Sequence, residues 1–266
     1  MYVSHTSYYN IILKEMVKIK QEYKTKEGYK IEIMEKIIIN KRAKYKIKLL
    51  DTYMYECVCD LKEIKNGSIK NPYHPSVHGI GYIGVGDYKV RVNGIINKEY
   101  ECWRNMLKRA YDTKYHIAYP TYKNVTVCKE WLNFQTFAKF YNEKYPKNIK
   151  GITFEIDKDV LQNNVENKIY SPETVIFLPS NVNSFLTNIQ KNTSGYTGVS
   201  FCKTNNKYKT QISNFGNSSI IHLGYFQNPQ DASTHYKKAR AKQSEKVREY
   251  LRSLNYLPEE IIQHIK

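Results

Sequence analysis

No window of this 266-residue chain approaches ~18 consecutive apolar residues, the length a membrane-crossing helix requires, so no membrane span is expected. The opening stretch, Met1 to Tyr9, is polar and aromatic and lacks an apolar h-region. A secretory signal is therefore not expected, and the cytosol is the expected compartment. Cysteine is scarce. The five thiols, Cys57, Cys59, Cys102, Cys128 and Cys202, are odd in number and scattered, which argues against a disulfide framework. Cys57 and Cys59 form a C-x-C step that a strand would place on one face, but the second pair of a tetrahedral zinc site is missing. Buried thiols are the expectation there.

Carboxylates are also in deficit, with 25 Asp and Glu against 42 Lys and Arg and a formal charge of +17. The excess is spread along the chain: +6 over residues 1–82, +4 over 83–189 and +7 over 190–266. A polyanion such as nucleic acid is the natural partner of such a surface, because each neutralised phosphate releases counterions. The competing reading is compositional. Of the basic residues 35 are Lys, and Tyr, Ile and Asn are abundant too, a pattern that an AT-biased genome produces with lysines merely solvating the surface. With 41% apolar residues the chain can bury a core.

Apolar positions from Tyr8 to Tyr23 suit a short amphipathic helix. Alternation at Tyr29–Ile33, a β-branched run at Lys36–Asn40, and alternation at Tyr45–Leu49 and Tyr53–Cys59 predict three or four strands of a small antiparallel sheet. The glycine cluster from Gly79 to Gly86 offers G-x-G steps but no βαβ context, so a loop with close backbone approach is preferred to a dinucleotide site. Helical spacing follows over Glu99–Ala110 and Trp131–Tyr141. Residues 152–160 read as a strand carrying Asp157 and Asp159. Val175–Leu178 reads as a second strand, and Ser180 opens a helix through Asn183. Three more strands are expected at Gly198–Phe201, Lys207–Ile212 and Ser219–Leu223, then a long helix opened by Asn228-Pro229. The class is α+β, with three regions: 1–98, β-rich; 99–189, with a ββα unit; and 190–266, a three-stranded sheet backed by a helix.

Two stretches resemble known families. Residues 195–241, with Gly195-Tyr196, Gly198-Val199-Ser200, Ile212, Leu223-Gly224-Tyr225-Phe226, Ala232 and Tyr236, resemble the AP2 DNA-binding domain. That family usually has Trp where Tyr208 stands. Residues 99–185 resemble phage and prophage HNH-type endonucleases, often fused to an AP2 domain. The matching elements are Trp103-x-x-Met106-x-x-Arg109-x-Tyr111, Val127-Cys128-x-Glu130-Trp131-x-x-Phe134, Asp157-Lys158-Asp159 and Tyr170-Ser171-Pro172-Glu173.

The resemblance implies duplex DNA as partner and a divalent cation such as Mg²⁺ as cofactor. It aligns Asp157 with the usual histidine base, Thr174 with the central Asn and Asn183 with the last ligand position. No histidine lies between Cys128 and Lys191, and an Asp with an ordinary pKa near ~3.9 is a weak base at neutral pH. Asp157, Asp159 and Asn183 are thus the expected catalytic residues, with Asp157 and Asn183 as metal ligands. The bland alternative has one carboxylate capping a turn and the other paired with Lys158 or an Arg, with no metal. DNA contacts are expected from Arg104, Lys108 and Arg109 on the first central helix, and from Lys203, Lys207, Tyr208, Lys209 and Gln211 on the C-terminal sheet. Two function classes follow: a metal-dependent, homing-like DNA endonuclease or nickase, and a non-catalytic DNA-binding protein acting as a phage regulator or inhibitor of a host enzyme. Residues 1–98 remain the candidate surface for a protein partner.

Overall fold

The computed structural model describes residues 22–163, 165–187, 194–217 and 219–265, so the helix expected from Tyr8 lies almost wholly outside the described residues. The chain is α+β and divides into two compact units. The first takes in the residues up to Asp87 together with Asn133–Gln135; the second comprises Tyr88–Leu132 and Thr136 onwards.

The first unit is built on an antiparallel sheet, β1 (Tyr23–Lys24), β2 (Lys30–Ile39), β3 (Arg42–Leu50) and β4 (Glu56–Cys59), in that spatial order. The two runs read separately at 29–33 and 36–40 are one strand, interrupted only by a bulge at Met34. The sheet's inner face buries Ile31, Ile47, Leu49 and Cys59 against Ile64 of helix α1 (Leu61–Asn66) and Ile69. Glu63 caps that helix by accepting from the Asp60 amide at 2.8 Å. Cys57 and Cys59 both face this core, as their spacing requires, and burial pushes both thiols up, Cys59 to about 12. The glycine cluster is a site of close approach. At Gly84 (φ +72°) a Cβ would lie 2.2 Å from Asn133 Oδ1.

In the second unit a hairpin of β5 (Arg91–Val92) and β6 (Ile95–Ile96) leads into α2 (Lys98–Tyr111), which buries Trp103, Met106, Leu107 and Ala110. The expected unit boundary at residue 98 therefore falls earlier, at Asp87. The Trp103 indole N–H donates to the Trp131 carbonyl at 2.7 Å, and the Trp131 ring packs on Phe137 and Phe140. The helix expected from Trp131 is broken. A 3₁₀ turn covers Lys129–Leu132, and α4 (Phe134–Lys144) starts afresh because Asn133 Oδ1 accepts from the Gln135 amide at 3.0 Å. A short helix α3 (Thr113–Ala118) and a parallel pair, β7 (Thr126–Val127) with β9 (Ile169–Tyr170), complete this side.

Strand β8 (Phe154–Asp157) pairs antiparallel with β10 (Ile176–Pro179), and α5 (Ser180–Thr187) follows directly. The last module has β11 (Val199–Cys202), β12 (Lys207–Ser213) and β13 (Ile220–Phe226) in sequence order, backed by α6 (Pro229–Leu254) and followed by α7 (Glu259–Gln263). Asn228 caps α6 by accepting from the Asp231 amide at 2.8 Å. The sequence placed a division at residue 190. Yet Val160, Leu178, Val182 and Phe185 share one apolar cluster with Val247, Leu251 and Ile262, so the ββα segment and the end of the C-terminal region bury a common core.

Candidate nucleic-acid interface

Strand β12 runs through the middle of its sheet, so its side chains alternate between the helix and the open face. Thr210 (0% exposed) and Ile212 (5%) point at α6. Lys207, Lys209 and Gln211 therefore occupy the other face, as expected. Cross-strand register adds Ser200 and Tyr225 beside Lys209, Cys202 beside Lys207, and His222 beside Gln211. None of the three strands contains an Asp or Glu, and neither lysine has an ion-pair partner among the described residues. Lys203 stands just outside the sheet, exposed in the turn after β11.

Tyr208 corrects the sequence reading. It pairs with Phe201 and Phe226, shares their face, and packs its ring edge-on to Phe201 at 5.2 Å. The period of two places it with Thr210 on the helix side, away from the lysines. Sequence reasoning missed His222 and Tyr225, which lie three residues apart and share this face only because the register shifts opposite Thr210 and Gln211, a bulge that alternation does not reveal.

On α2 the three expected phosphate contacts separate. Lys108 is exposed, its ammonium 5.6 Å from the Tyr115 ring centre, and Arg104 is half-buried. Arg109 turns inward and hydrogen-bonds the Tyr170 phenol. Burial opposes its charge, but Tyr170 and Tyr122 outweigh that and hold the guanidinium above its ordinary value. Arg109 is a packing cation, not the surface phosphate contact expected from its position.

The ββα junction departs furthest from expectation. Strand β8 ends at Asp157, so Asp159 is not on it, and the two carboxylates do not share a strand face. Asp157 is 6% exposed; its Oδ1 accepts from the amides of Asp159 and Val160, both at 2.9 Å. It closes the turn that leaves the strand. Asp159 is clamped by Lys158 at 2.9 Å and by Lys168. Lys158, itself only 5% exposed, also lies 4.7 Å over the Tyr122 ring. Asn183 donates to Glu155 Oε2 at 2.5 Å and does not pair with Asp157. The hairpin explains this. Pro179 pairs with Phe154, so α5 begins at the Glu155 end of β8, whereas Asp157 pairs with Ile176 two residues, or about 7 Å, farther along.

A divalent cation needs several oxygen atoms with free lone pairs at one point. The expected set does not fit that demand. One Asp157 oxygen serves two amides, Asp159 faces two ammonium groups, and Asn183 belongs to Glu155. Lys158 pairs with Asp159 and Asp157 serves a turn, as the metal-free alternative had it, whereas Glu155 and Lys168 were missed in the sequence. Glu155 was findable, since it lies two residues before Asp157 and hence on the same strand face.

The two aspartates titrate in opposite directions. Burial pushes Asp157 up despite its amide partners, whereas Lys158 and Lys168 overcome burial and pull Asp159 down. A raised carboxyl opposes folding above its folded-state pKa, and the penalty fades as pH falls through that value. A depressed carboxyl stabilises above ~3.9, and that stability is lost as pH falls through the folded-state value. Asp157→Asn keeps the accepting oxygen and removes the buried charge. It should be at least as stable as the parent at pH 7, with the advantage shrinking in acid. Asp159→Asn should be less stable at pH 7, with the deficit shrinking below about pH 4. Urea unfolding at both pH values reads these differences; the opposite ordering would refute the assignments.

Neither a protein-family model, nor a curated protein, nor a solved structure matches the chain.

Proposed function

We propose that the protein binds duplex DNA through the open face of the β11–β13 sheet, as a non-catalytic DNA-binding protein of the HNH/AP2 type. The observation that carries the reading is that face: Lys207, Lys209 and Gln211 in a row, ringed by neutral hydrogen-bonding side chains and free of carboxylate. Lysines of this kind meet phosphates, while Gln211 has the amide that reads a base edge. A three-stranded sheet backed by a long helix holds these groups at fixed spacing. The ββα unit acts in this reading as scaffold, because its two aspartates are engaged by turn amides and lysines. Lys108 and Arg104 extend the positive surface on the α2 side.

The test uses the full chain. It should retain duplex DNA in dilute buffer and lose it steeply as salt rises. Failure to bind at low salt would overturn the proposal. Supercoiled plasmid incubated with Mg²⁺ or Mn²⁺ should stay intact. Nicking by the parent that disappears in Asp157→Asn would reinstate the metal-dependent endonuclease and overturn the scaffold assignment.

A further inference from the structure

One strip of α6 carries chemistry that neither the helix packing nor the sheet face uses. A cleft of about 300 Å³ runs along it, lined by Tyr236, Lys237, Arg240, Ala241, Ser244 and Arg248. Spacings of three and four residues bring these side chains onto one side of the helix. Ser244 is only 3% exposed, and its buried hydroxyl has no hydrogen-bond partner among the described residues. Such a group bears the cost of desolvation with no return unless something enters the cleft to accept from it.

The cations around it are held in place. Arg240 lies 3.5 Å over the Phe185 ring and donates Nη2 to the Phe185 carbonyl at 3.0 Å. It has no carboxylate partner among the described residues, so most of its five N–H donors stay available. Burial pushes its pKa below the ordinary value, a cost that a neighbouring anion would relieve. Lys237 is exposed and also lacks an ion-pair partner among the described residues. Arg248 is the neutralised member, paired with Glu245 at 2.5 Å and bonded to the Ile265 carbonyl at 2.7 Å. The cleft thus keeps a positive balance after Glu245 is counted.

We infer that this cleft is a phosphate-binding site, in which Arg240 and Lys237 supply the opposing charge and the Ser244 hydroxyl donates to a phosphate oxygen. A tetrahedral anion suits donors that converge from three side chains on different turns of the helix better than a planar carboxylate does. The phosphate could arrive as a diester of a DNA backbone or on a small molecule; the chemistry is shared. The inference does not rest on the DNA reading of the sheet.

The test is calorimetric titration of the full chain with inorganic phosphate at constant ionic strength, against Lys237→Gln and Ser244→Ala. The parent should bind, and each variant should bind about fivefold or more weakly, the effect of losing one hydrogen bond or charge contact. Lys237 is on the surface, so its variant tests the site even where Ser244→Ala disturbs packing. No binding by the parent, or equal affinity in parent and Lys237→Gln, overturns the inference. A second arm measures duplex DNA. Weaker DNA binding by Lys237→Gln, with free phosphate competing, identifies a backbone diester as the occupant. DNA binding equal to the parent's, with phosphate affinity still reduced, identifies a small phosphate ligand. Phosphate binding without any DNA binding leaves this site standing and removes only the sheet proposal.

Discussion

Gly198→Ala is expected to cost about 2–5 kcal/mol of unfolding free energy. Two penalties combine. Gly198 has φ +68°, a region that costs an L-residue roughly 1–2 kcal/mol. A Cβ there would lie 2.1 Å from Tyr236 Cε2, a clash that only movement of the ring could relieve. Tyr236 is 9% exposed and belongs to the packed face of α6, so forcing it aside adds an overpacking cost of about 1–3 kcal/mol. The Gly198 carbonyl also accepts from Thr210 Oγ1 at 2.9 Å and from the Gln211 amide at 3.3 Å. Strain at this residue therefore reaches the strand that presents Lys209 and Gln211. Chemical denaturation of the full chain reads the effect, and a loss under about 1 kcal/mol would mean the sheet and helix are not locked at this point.

The double variant Lys207→Ala, Lys209→Ala is expected to bind duplex DNA about thirtyfold more weakly near 0.15 M salt. Each phosphate contact carries a slope of about −0.9 in log affinity against log salt. At 0.15 M that is a factor of about 5.5 per contact, and two contacts multiply. The slope itself should fall by about 1.8, a change that a merely structural defect would not produce. Both lysines stand on the face away from α6, so folding should be preserved. Gln211→Ala should behave differently: a cost of about 1–3 kcal/mol confined to target sequences, with little change in slope. An unchanged salt slope in the double variant would place the DNA contact elsewhere on the molecule.

Several features were legible in the residues because they depend on local pattern. Alternation marked β2 and β3, Asn228-Pro229 marked the start of α6, and helical spacing marked α2. The residues that suggested the AP2 likeness have a packing reason here. Gly198 leaves room for the Tyr236 ring, and Ala232 sits fully buried one turn before it. Register was not legible. Whether Asn183 meets Asp157 or Glu155 depends on which residue of β10 pairs with which residue of β8, information held by the hairpin and not by either strand. Arg109 reads as a surface cation on its helix until Tyr170, some sixty residues later, comes alongside it.

By itself, then, the sequence determined the α+β class, the excess of positive charge, most element positions and the cationic side of β12, because each follows from composition or from a period of two or 3.6. Tertiary structure decided which charges are free. Lys158 and Lys168 are both consumed by Asp159, whereas Lys207, Lys209 and Lys237 find no acid among the described residues. The same packing decided that Asp157 serves a turn, that Tyr208 faces the helix, and that Ser244 is buried at a cleft without a partner among the described residues. Formal charge is additive along a chain, but a site depends on what remains unpaired once distant segments have been brought into contact.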